Sequence, residues 1–490
     1  MPTIYDPYGN VVSSQSFVKA AAQNWGDRKW EPIALNEIDK LIPQYNLAVL
    51  MSASRRMFMN NPLLKAAVRQ KGSFSVGSAW DPRFLGEDKE WGRTVGEWLK
   101  DSVFPLMDSR GPNFFWTRLL RLWSYALDRE GDFLILKVKP RDETDYPKIH
   151  HVPGWRMTNG ETGNGEVIDK GRYKGARIRN GVIINRYDRP VAYRYLKNLQ
   201  TRETIEVSTR DAWHVYNPMF FDQYRGLPDS TASLNDLRDS LQAHEWELRA
   251  QMIESGISLI EYNETGLFDP DDPANVLGGS TTHNGDEVGI THTEVDGGIM
   301  RYFRSNSGSK IESFEHKRPG NPWETFQDRT FRLALAGLNW PFSMVWKWDG
   351  LNGTSQRQEL SKARQSVEDR QADLISPARW VCSHFVAAAV NRLGMFPEQD
   401  DWYRWGFSMP AKLSIDPGRE SAIFEKEWQI GSANVTDRVE EKGSSLEDHY
   451  RERAHEIALR KRIAREVSEE TGEDVSDGEM SQPNKPTAIQ

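Results

Sequence analysis

The chain has 490 residues, 38% hydrophobic and 27% charged, with a formal net charge of −8. At about 100–200 residues per domain, this length predicts about three structural regions. The acidic balance argues against a protein that grips nucleic acid through a general basic excess, and makes sliding contact the mode to expect wherever it meets DNA. Cys382 is the only cysteine, which excludes an intrachain disulfide and a CxxC metal pair and suits a reducing cytoplasm. The opening MPTIYDPYGN lacks a basic-then-apolar pattern and no run of about 18 apolar residues occurs, so neither secretion nor membrane spanning is expected. The 18 tryptophans are many, and such side chains anchor either a large core or an extensive subunit interface.

Roughly the first thirty residues are mixed and polar, and read as an extended arm. Helical spacing then runs from about Asn36 to Arg69 through Ile38, Leu41, Leu47, Leu50 and Met57. Phe115–Leu127 reads as an apolar helix leading into Gly131–Lys139, whose continuous apolar run predicts a buried strand. Residues 150–220 hold short β-type runs between Gly and Asn turns, among them Val182–Asn185, Ala192–Leu196 and Trp213–Tyr216.

From Arg225 the pattern becomes helical. Leu234, Leu237, Leu241, Leu248 and Met252 form one stripe, interrupted near His244, and segment 264–298 has the Gly, Asp, Pro and Thr content of a loop or hairpin. A second helix is expected from Pro322 to Leu338, followed by the Trp- and Gly-bearing loop Trp340–Thr354. A long helix to about Asn391 carries Ala363, Val367, Leu374, Ala378, Val381 and Phe385 on one face, and Pro377 predicts a kink in it. Residues 402–416 predict a strand pair ending in Asp416-Pro417-Gly418, and charge-rich helices follow from Arg419 to about Val467. Ser468–Gln490, acidic and then polar with proline, predicts a disordered tail.

The common catalytic signatures are missing. There is no G-x-x-x-x-G-K-[ST] phosphate loop and no G-x-S-x-G elbow. His244-Glu245 and His455-Glu456 each begin like a zinc-protease helix, but the second histidine four residues on is absent, so helix-surface residues are expected. His283, Asp286, His292 and Glu294 fit no metal-ligand spacing, and Asp269, Asp271 and Asp272 flank prolines as in a turn. No enzyme activity, cofactor or metal site is expected.

An ordered set of segments carries more information than any one motif. Arg55-Arg56-Met57-Phe58-Met59-Asn60-Asn61-Pro62 is followed by Gly131-Asp132-Phe133-Leu134, then Gly181-Val182-Ile183 and Arg189-Pro190-Val191-Ala192-Tyr193. His214-Val215-Tyr216 and Tyr224-Arg225-Gly226-Leu227-Pro228 lead straight into the Leu234 stripe. Pro319-Gly320-Asn321-Pro322 precedes a helix with Phe326, Leu333, Ala334 and Gly337-Leu338. Asn352-Gly353-Thr354-Ser355 precedes Arg357, and Asp416-Pro417-Gly418-Arg419-Glu420 closes the series. Over roughly residues 45–465 this set resembles the lambda-type family of tailed-phage portal proteins. The Trp-rich 340–348 loop, the missing basic excess and the tail depart from the family pattern. Individually, His214 reads as a structural histidine and Arg225-Gly226 as a turn before a helix.

The resemblance implies an α+β portal fold with a β-rich wing, helical stem, clip insertion, long kinked helix and helical crown, assembled as a dodecameric ring. In that arrangement 1–229 is the wing, 230–256 and 321–339 are stem helices, 257–320 is the clip and 340–356 is the tunnel loop. The kinked helix and wing return occupy 357–418, the crown 419–467 and the tail 468–490. The implied function is passive: a channel at one capsid vertex of the virion for DNA packaging, retention and ejection, assembled in the host cytoplasm. Implied partners are further copies of the chain, the terminase large subunit, head-completion or adaptor proteins, scaffold and major capsid protein, and double-stranded DNA bound without sequence preference. Trp346, Lys347, Trp348, Asp349 and Asn352 are the candidate DNA-facing residues of the tunnel loop, Lys347 above all, with loop packing as the competing reading. The alternatives are a minor capsid or scaffold-associated protein without a channel, or a DNA-processing enzyme.

Overall fold

The computed structural model describes residues 4–5, 11–12, 38, 42–77, 80–139, 146–255, 259–262, 310–313, 320–346, 353–410, 417–441 and 446–471. The chain divides into two units, Met1–Thr231 with Leu338–Gln490, and Ala232–Gly337.

In the first unit, Asn61-Pro62 breaks the helical run that the spacing predicts as continuous. The chain forms α1 (Gln44–Asn60) and α2 (Pro62–Val76). Proline has no amide to extend α1 but is pre-set for the first turn of a new helix. Asn61 caps that helix by accepting from the Leu64 amide at 3.1 Å. Next come α3 (Lys89–Trp98), capped by Asp88, and α4 (Trp116–Arg129). Four helices thus precede most of the strands, so the N-terminal segment is less β-rich than expected.

The strands are short and antiparallel. β1 (Ile4–Tyr5) pairs with β2 (Val11–Val12). β4 (Asp132–Val138) is the centre of a three-stranded sheet between β5 (Lys148–Pro153) and β10 (Ala212–Tyr216). Its run from Asp132 to Leu136 is fully buried, which explains why apolar residues occupy consecutive positions rather than alternating. A separate sheet follows chain order: β6 (Arg177–Arg179), β7 (Val182–Ile184), β8 (Pro190–Leu196) and β9 (Thr204–Ser208). The strand pair expected within 402–416 is described only in part, because residues 411–416 lie outside the described residues. Only β13 (Trp405–Phe407) forms there among the described residues, and its partner is β3 (Pro82–Phe84), with Trp405 opposite Phe84. Burying both aromatics decides this pairing: their rings lie 5.3 Å apart and Trp91 packs against both.

The main core is where the tryptophans go. Trp80, Trp91, Trp116, Trp123 and Trp405 sit in one cluster with Phe104, Phe133, Phe385 and Phe407. Each large apolar side chain so buried contributes about 1.5–3 kcal/mol. α7 (Gly353–Asn391) lines this core with Leu374, Ala378, Val381 and Phe385, the face its spacing predicts. It is one assigned helix through Pro377, which is itself buried. Three helices close the unit: α8 (Pro417–Gln429), α9 (Val435–Glu441) and α10 (Leu446–Thr471). His455 and Glu456 are exposed on α10.

The second unit contains α5 (Leu234–Ser255), α6 (Asn321–Gly337) and the paired strands β11 (Leu259–Tyr262) and β12 (Lys310–Ser313). α5 runs unbroken, and His244 and Glu245, where the apolar stripe is interrupted, are exposed on it. The stripe is covered at only one end. Leu234 and Leu237 are buried, whereas Leu248 and Met252 are exposed. At the covered end the Ser233 hydroxyl donates to the Ala334 carbonyl at 2.5 Å. A side chain at Gly337 would strike that hydroxyl, so glycine permits the close helix approach. Residues 263–309, which include Asp269, Asp271, Asp272, His283, Asp286, His292 and Glu294, lie outside the described residues.

Among the described residues the fold is mixed helix and antiparallel sheet, α+β, and no helix is long and apolar enough to cross a membrane. Gly131, between α4 and β4, has φ of +85°, and a Cβ there would collide with the Leu227 backbone. Gly131→Ala is expected to lower stability by roughly 2–4 kcal/mol through combined backbone strain and collision. Urea unfolding followed by far-UV circular dichroism measures this directly; an unchanged midpoint would contradict the packing described.

Candidate functional site: the 340–352 loop and the buried charges around it

Five residues of the loop after Trp340 are expected from the sequence to face DNA: Trp346, Lys347, Trp348, Asp349 and Asn352. Of the five, Trp346 is described and is 59% exposed, while Lys347, Trp348, Asp349 and Asn352 lie outside the described residues. Trp340, where the loop begins, is 3% exposed and stacks on Phe74 of α2 at 6.1 Å. Its indole donates to Gln70 Oε1 at 3.4 Å. A single 3-10 turn, Phe342–Met344, follows, and the Ser343 hydroxyl donates to Glu359 of α7 at 3.2 Å. The turn is thereby joined to α7, and Phe342 is buried beneath it.

Farther along α7, Arg370 is 2% exposed and donates to Asp128 of α4 at 2.8 Å and to Asp229 at 2.6 Å. Lys71 of α2 completes the group, 3.1 Å from Asp128 and 3.6 Å from Asp229, and also donates to the Leu338 carbonyl at 3.3 Å. Asp373, one turn farther along α7, lies 3.9 Å from Arg370 at the more exposed side of the group, and two cations among these carboxylates make burial of Asp128 tolerable. α2 therefore holds both sides of the loop: Lys71 binds the chain entering at Leu338 and the cluster that fixes α7. The sequence reading missed all five residues. A lone Asp128 directly after the apolar run of α4 is the only local signal.

A second buried network joins the motifs that the sequence singled out. Asp132 opens β4, His214 lies opposite on β10, and Arg225 follows in the next turn. Arg225 donates to Asp132 at 2.5 and 3.2 Å, and to the carbonyls of Asn180 and Gly154 at 2.6 Å each. The Gly226 amide donates to Asp132 at 3.1 Å. His214 Nε2 lies 3.0 Å from the same carboxylate, which only accepts when ionised, so Nε2 carries the proton. Glycines allow these approaches: a Cβ at Gly226 would strike the Gly131 carbonyl, and one at Gly154 would strike Asp132. Burial pushes the Asp132 carboxyl upward, but Arg225 and His214 outweigh it and its pKa falls to about 2. Burial lowers the pKa of His214 despite Asp132. His214 is structural, in keeping with its sequence reading.

A third arrangement is not a catalytic relay. His151 Nδ1 lies 2.7 Å from Asp108, and its Nε2 accepts from the Trp123 indole at 2.8 Å. The nitrogen that a general base would turn to a nucleophile is occupied. Hydrogen bonds from Arg110 and His151 overcome the effect of burial and hold Asp108 below the usual carboxylate range. Among the described residues no group of three metal-ligating side chains occurs.

A sequence profile described as phage portal protein, lambda family, matches residues 27–371. The chain belongs to the lambda family of phage portal proteins. Among solved structures it is similar to a chain in the neck of an empty gene transfer agent particle computed with C6 symmetry. The TM-score is 0.48 at 12% identity, over 80% of this chain and 93% of that one. A chain from the virion of a native gene transfer agent particle gives 0.46 at 12% identity, covering 81% and 93% respectively. One from the neck of a native particle computed with C12 symmetry gives 0.47 at 11%, covering 80% and 92%. No curated protein matches.

Asp132→Asn leaves Arg225 buried against a neutral group and is expected to cost about 3–5 kcal/mol. The parent should lose stability in acid in two ranges. His214 has a folded pKa below its ordinary 6.5, so the unfolded chain takes up the proton first and stability declines as pH falls through that value. Asp132, at about 2 against 3.8, removes more stability between those two values. Melting temperature against pH for parent and Asp132→Asn checks this: the variant should lack the lower-range contribution.

Proposed function

We propose that the chain is the subunit of a closed, dodecameric portal ring at one capsid vertex, through which double-stranded DNA is packaged, retained and later ejected. The observation that carries this reading is the family match over residues 27–371. The ring reading is supported by apolar side chains that the isolated subunit leaves uncovered. Trp246, Leu248 and Met252 are exposed on α5, as are Ile423 and Trp428 on α8. A ring closes when one heterologous contact repeats by a fixed rotation, and such faces are what a neighbouring copy buries.

In this reading 1–229 forms the wing, 230–256 and 321–339 the stem, 257–320 the clip and 340–356 the tunnel loop. The long helix and wing return are 357–418, the crown 419–467 and the tail 468–490. The clip meets the terminase large subunit during packaging and head-completion or adaptor proteins afterwards, while scaffold and major capsid protein surround the ring as it assembles in the host cytoplasm. The ring performs no catalysis; ATP hydrolysis belongs to the terminase. The net charge of −8 suits a conduit, because like charge repels phosphates and keeps DNA moving.

Negative-stain images and sedimentation of the purified protein at high concentration are expected to show closed rings with a central hole. Monomer alone at every salt concentration would overturn the assembly. Within the ring, Lys347 supplies one positive charge per subunit beside Trp346 and Trp348, and repeated weak contacts add up. Lys347→Ala is expected to give a normal ring yield but filled heads that retain less DNA. Normal retention would remove the loop from the mechanism, and loss of rings would make it structural.

A further inference from the structure

Within the acidic chain, Lys and Arg cluster in a few stretches, one between Arg55 and Lys71 on α1 and α2 and one between residues 169 and 189. Residues 169–189 hold seven Lys or Arg against two Asp, a formal +5 within a chain of −8. The fold gathers most of this charge at one end of the β6–β9 sheet. Val167 bridges Arg177, and Ile168 exchanges backbone bonds with Gly175 and Ala176, so residues 169–174 form a tip just beyond the start of β6. Arg177 pairs with Ile184, which places the β7–β8 turn, 185–189, at that same end. A contact of 3.3 Å between Arg177 and Asp188 joins β6 to the turn.

Both elements are preorganised. In the turn, Asn185 Oδ1 accepts from the Tyr187 and Arg189 amides at 2.9 and 3.1 Å, and Asp188 adopts φ of +58°. In the tip, Gly171 and Gly175 have φ of +89° and +87°, with open space where a Cβ would lie. Lys170, Arg172, Lys174, Arg186 and Arg189 are exposed. Two arginines sit beside tyrosines: Arg172 lies 5.7 Å from the Tyr173 ring and Arg186 lies 4.6 Å from Tyr187, whose ring is 73% exposed. Planar guanidinium groups bind phosphate oxygens in pairs, and neighbouring aromatic rings hold them extended without neutralising them.

We infer that this tip is a second DNA-contacting surface, separate from the tunnel loop, which binds the phosphate backbone of duplex DNA without reading sequence. Duplex DNA is favoured over an acidic protein because the charge is dominated by arginine and is held on two hydrogen-bonded turns at one sheet end. Such a surface holds DNA lying against the outside of the subunit, where the acidic remainder does not.

The test uses the full-length protein and a fluorescently labelled, random-sequence duplex of about 30 base pairs, longer than the tip's few phosphate contacts require. Fluorescence anisotropy is recorded across a salt series for three proteins: the parent, Arg172→Ala/Lys174→Ala/Arg186→Ala/Arg189→Ala, and the charge-keeping Arg172→Lys/Arg186→Lys. The four-alanine variant is expected to bind at least about tenfold more weakly near 0.1 M salt, with a salt slope shallower by up to about 3.6, at about 0.9 for each of the four phosphates no longer neutralised. The lysine variant should keep the slope. Should the alanine variant fail to fold by circular dichroism, Lys170→Glu/Lys174→Glu takes its place, with weaker binding and a slope shallower by at least about 1.8 expected. An unchanged affinity and slope would overturn the inference. So would poly-glutamate displacing the duplex at lower concentration than unlabelled duplex does, which would assign the tip to an acidic protein partner. Binding is read on the purified protein whether or not it forms rings, so failure here is distinguishable from failure of the ring assembly.

Discussion

One buried carboxylate holds the first unit together. Asp132 is fully enclosed, and its two oxygens accept from Arg225, His214 and the Gly226 amide. An ionised group in that position is tolerable only when every partner is present, because the cost of dehydration is recovered through charge and hydrogen bonds together. The partners come from β10 and from the turn before α5, while Arg225 reaches on to carbonyls at Gly154 and Asn180. One guanidinium thus fixes the end of β5, the β6–β7 turn and the start of β4 at once. The three-stranded sheet and the β6–β9 sheet are held in register with each other through it.

The long helix is fixed by a different balance. α7 packs an apolar face on the tryptophan core along its second half, while its earlier part is held by Arg370 between Asp128 and Asp229. Apolar packing has little directionality, whereas an arginine between two carboxylates accepts few geometries. The combination sets both the depth and the rotation of α7. Lys71 and Phe74 of α2 carry the same constraint to Leu338 and Trp340.

Charge is divided by location. The chain as a whole is acidic, and one of its basic clusters is gathered at one end of the β6–β9 sheet. Concentrating the arginines on two turns of one sheet end achieves a local field of opposite sign without changing the net charge.

The sequence alone determined what depends on near neighbours. The 3.6-residue spacing marked α4, α6 and the core face of α7, and the continuous apolar run after Gly131 marked β4 as a buried strand. The order of short motifs from Arg55 to Glu420 pointed to the portal family, and the lack of a phosphate loop removed the common ATPases. Local chemistry also contained the α1–α2 break, since Asn61-Pro62 is a cap followed by a helix-starting proline, although the periodicity on both sides hid it. Only the tertiary structure decided the rest. Arg225 meets Asp132 across 93 residues and Arg370 meets Asp128 across 242, and no spacing rule links charges so far apart. β13 finds β3 rather than a neighbouring strand because Trp405 and Phe84 are buried together. The basic tip was present in the composition of residues 169–189, but only the pairing of β6 with β7 shows that its two halves share one end of a sheet. Helices and strands follow from rotation angles and side-chain alternation along the chain, whereas ion pairs and strand partners follow from which distant surfaces must be dehydrated together.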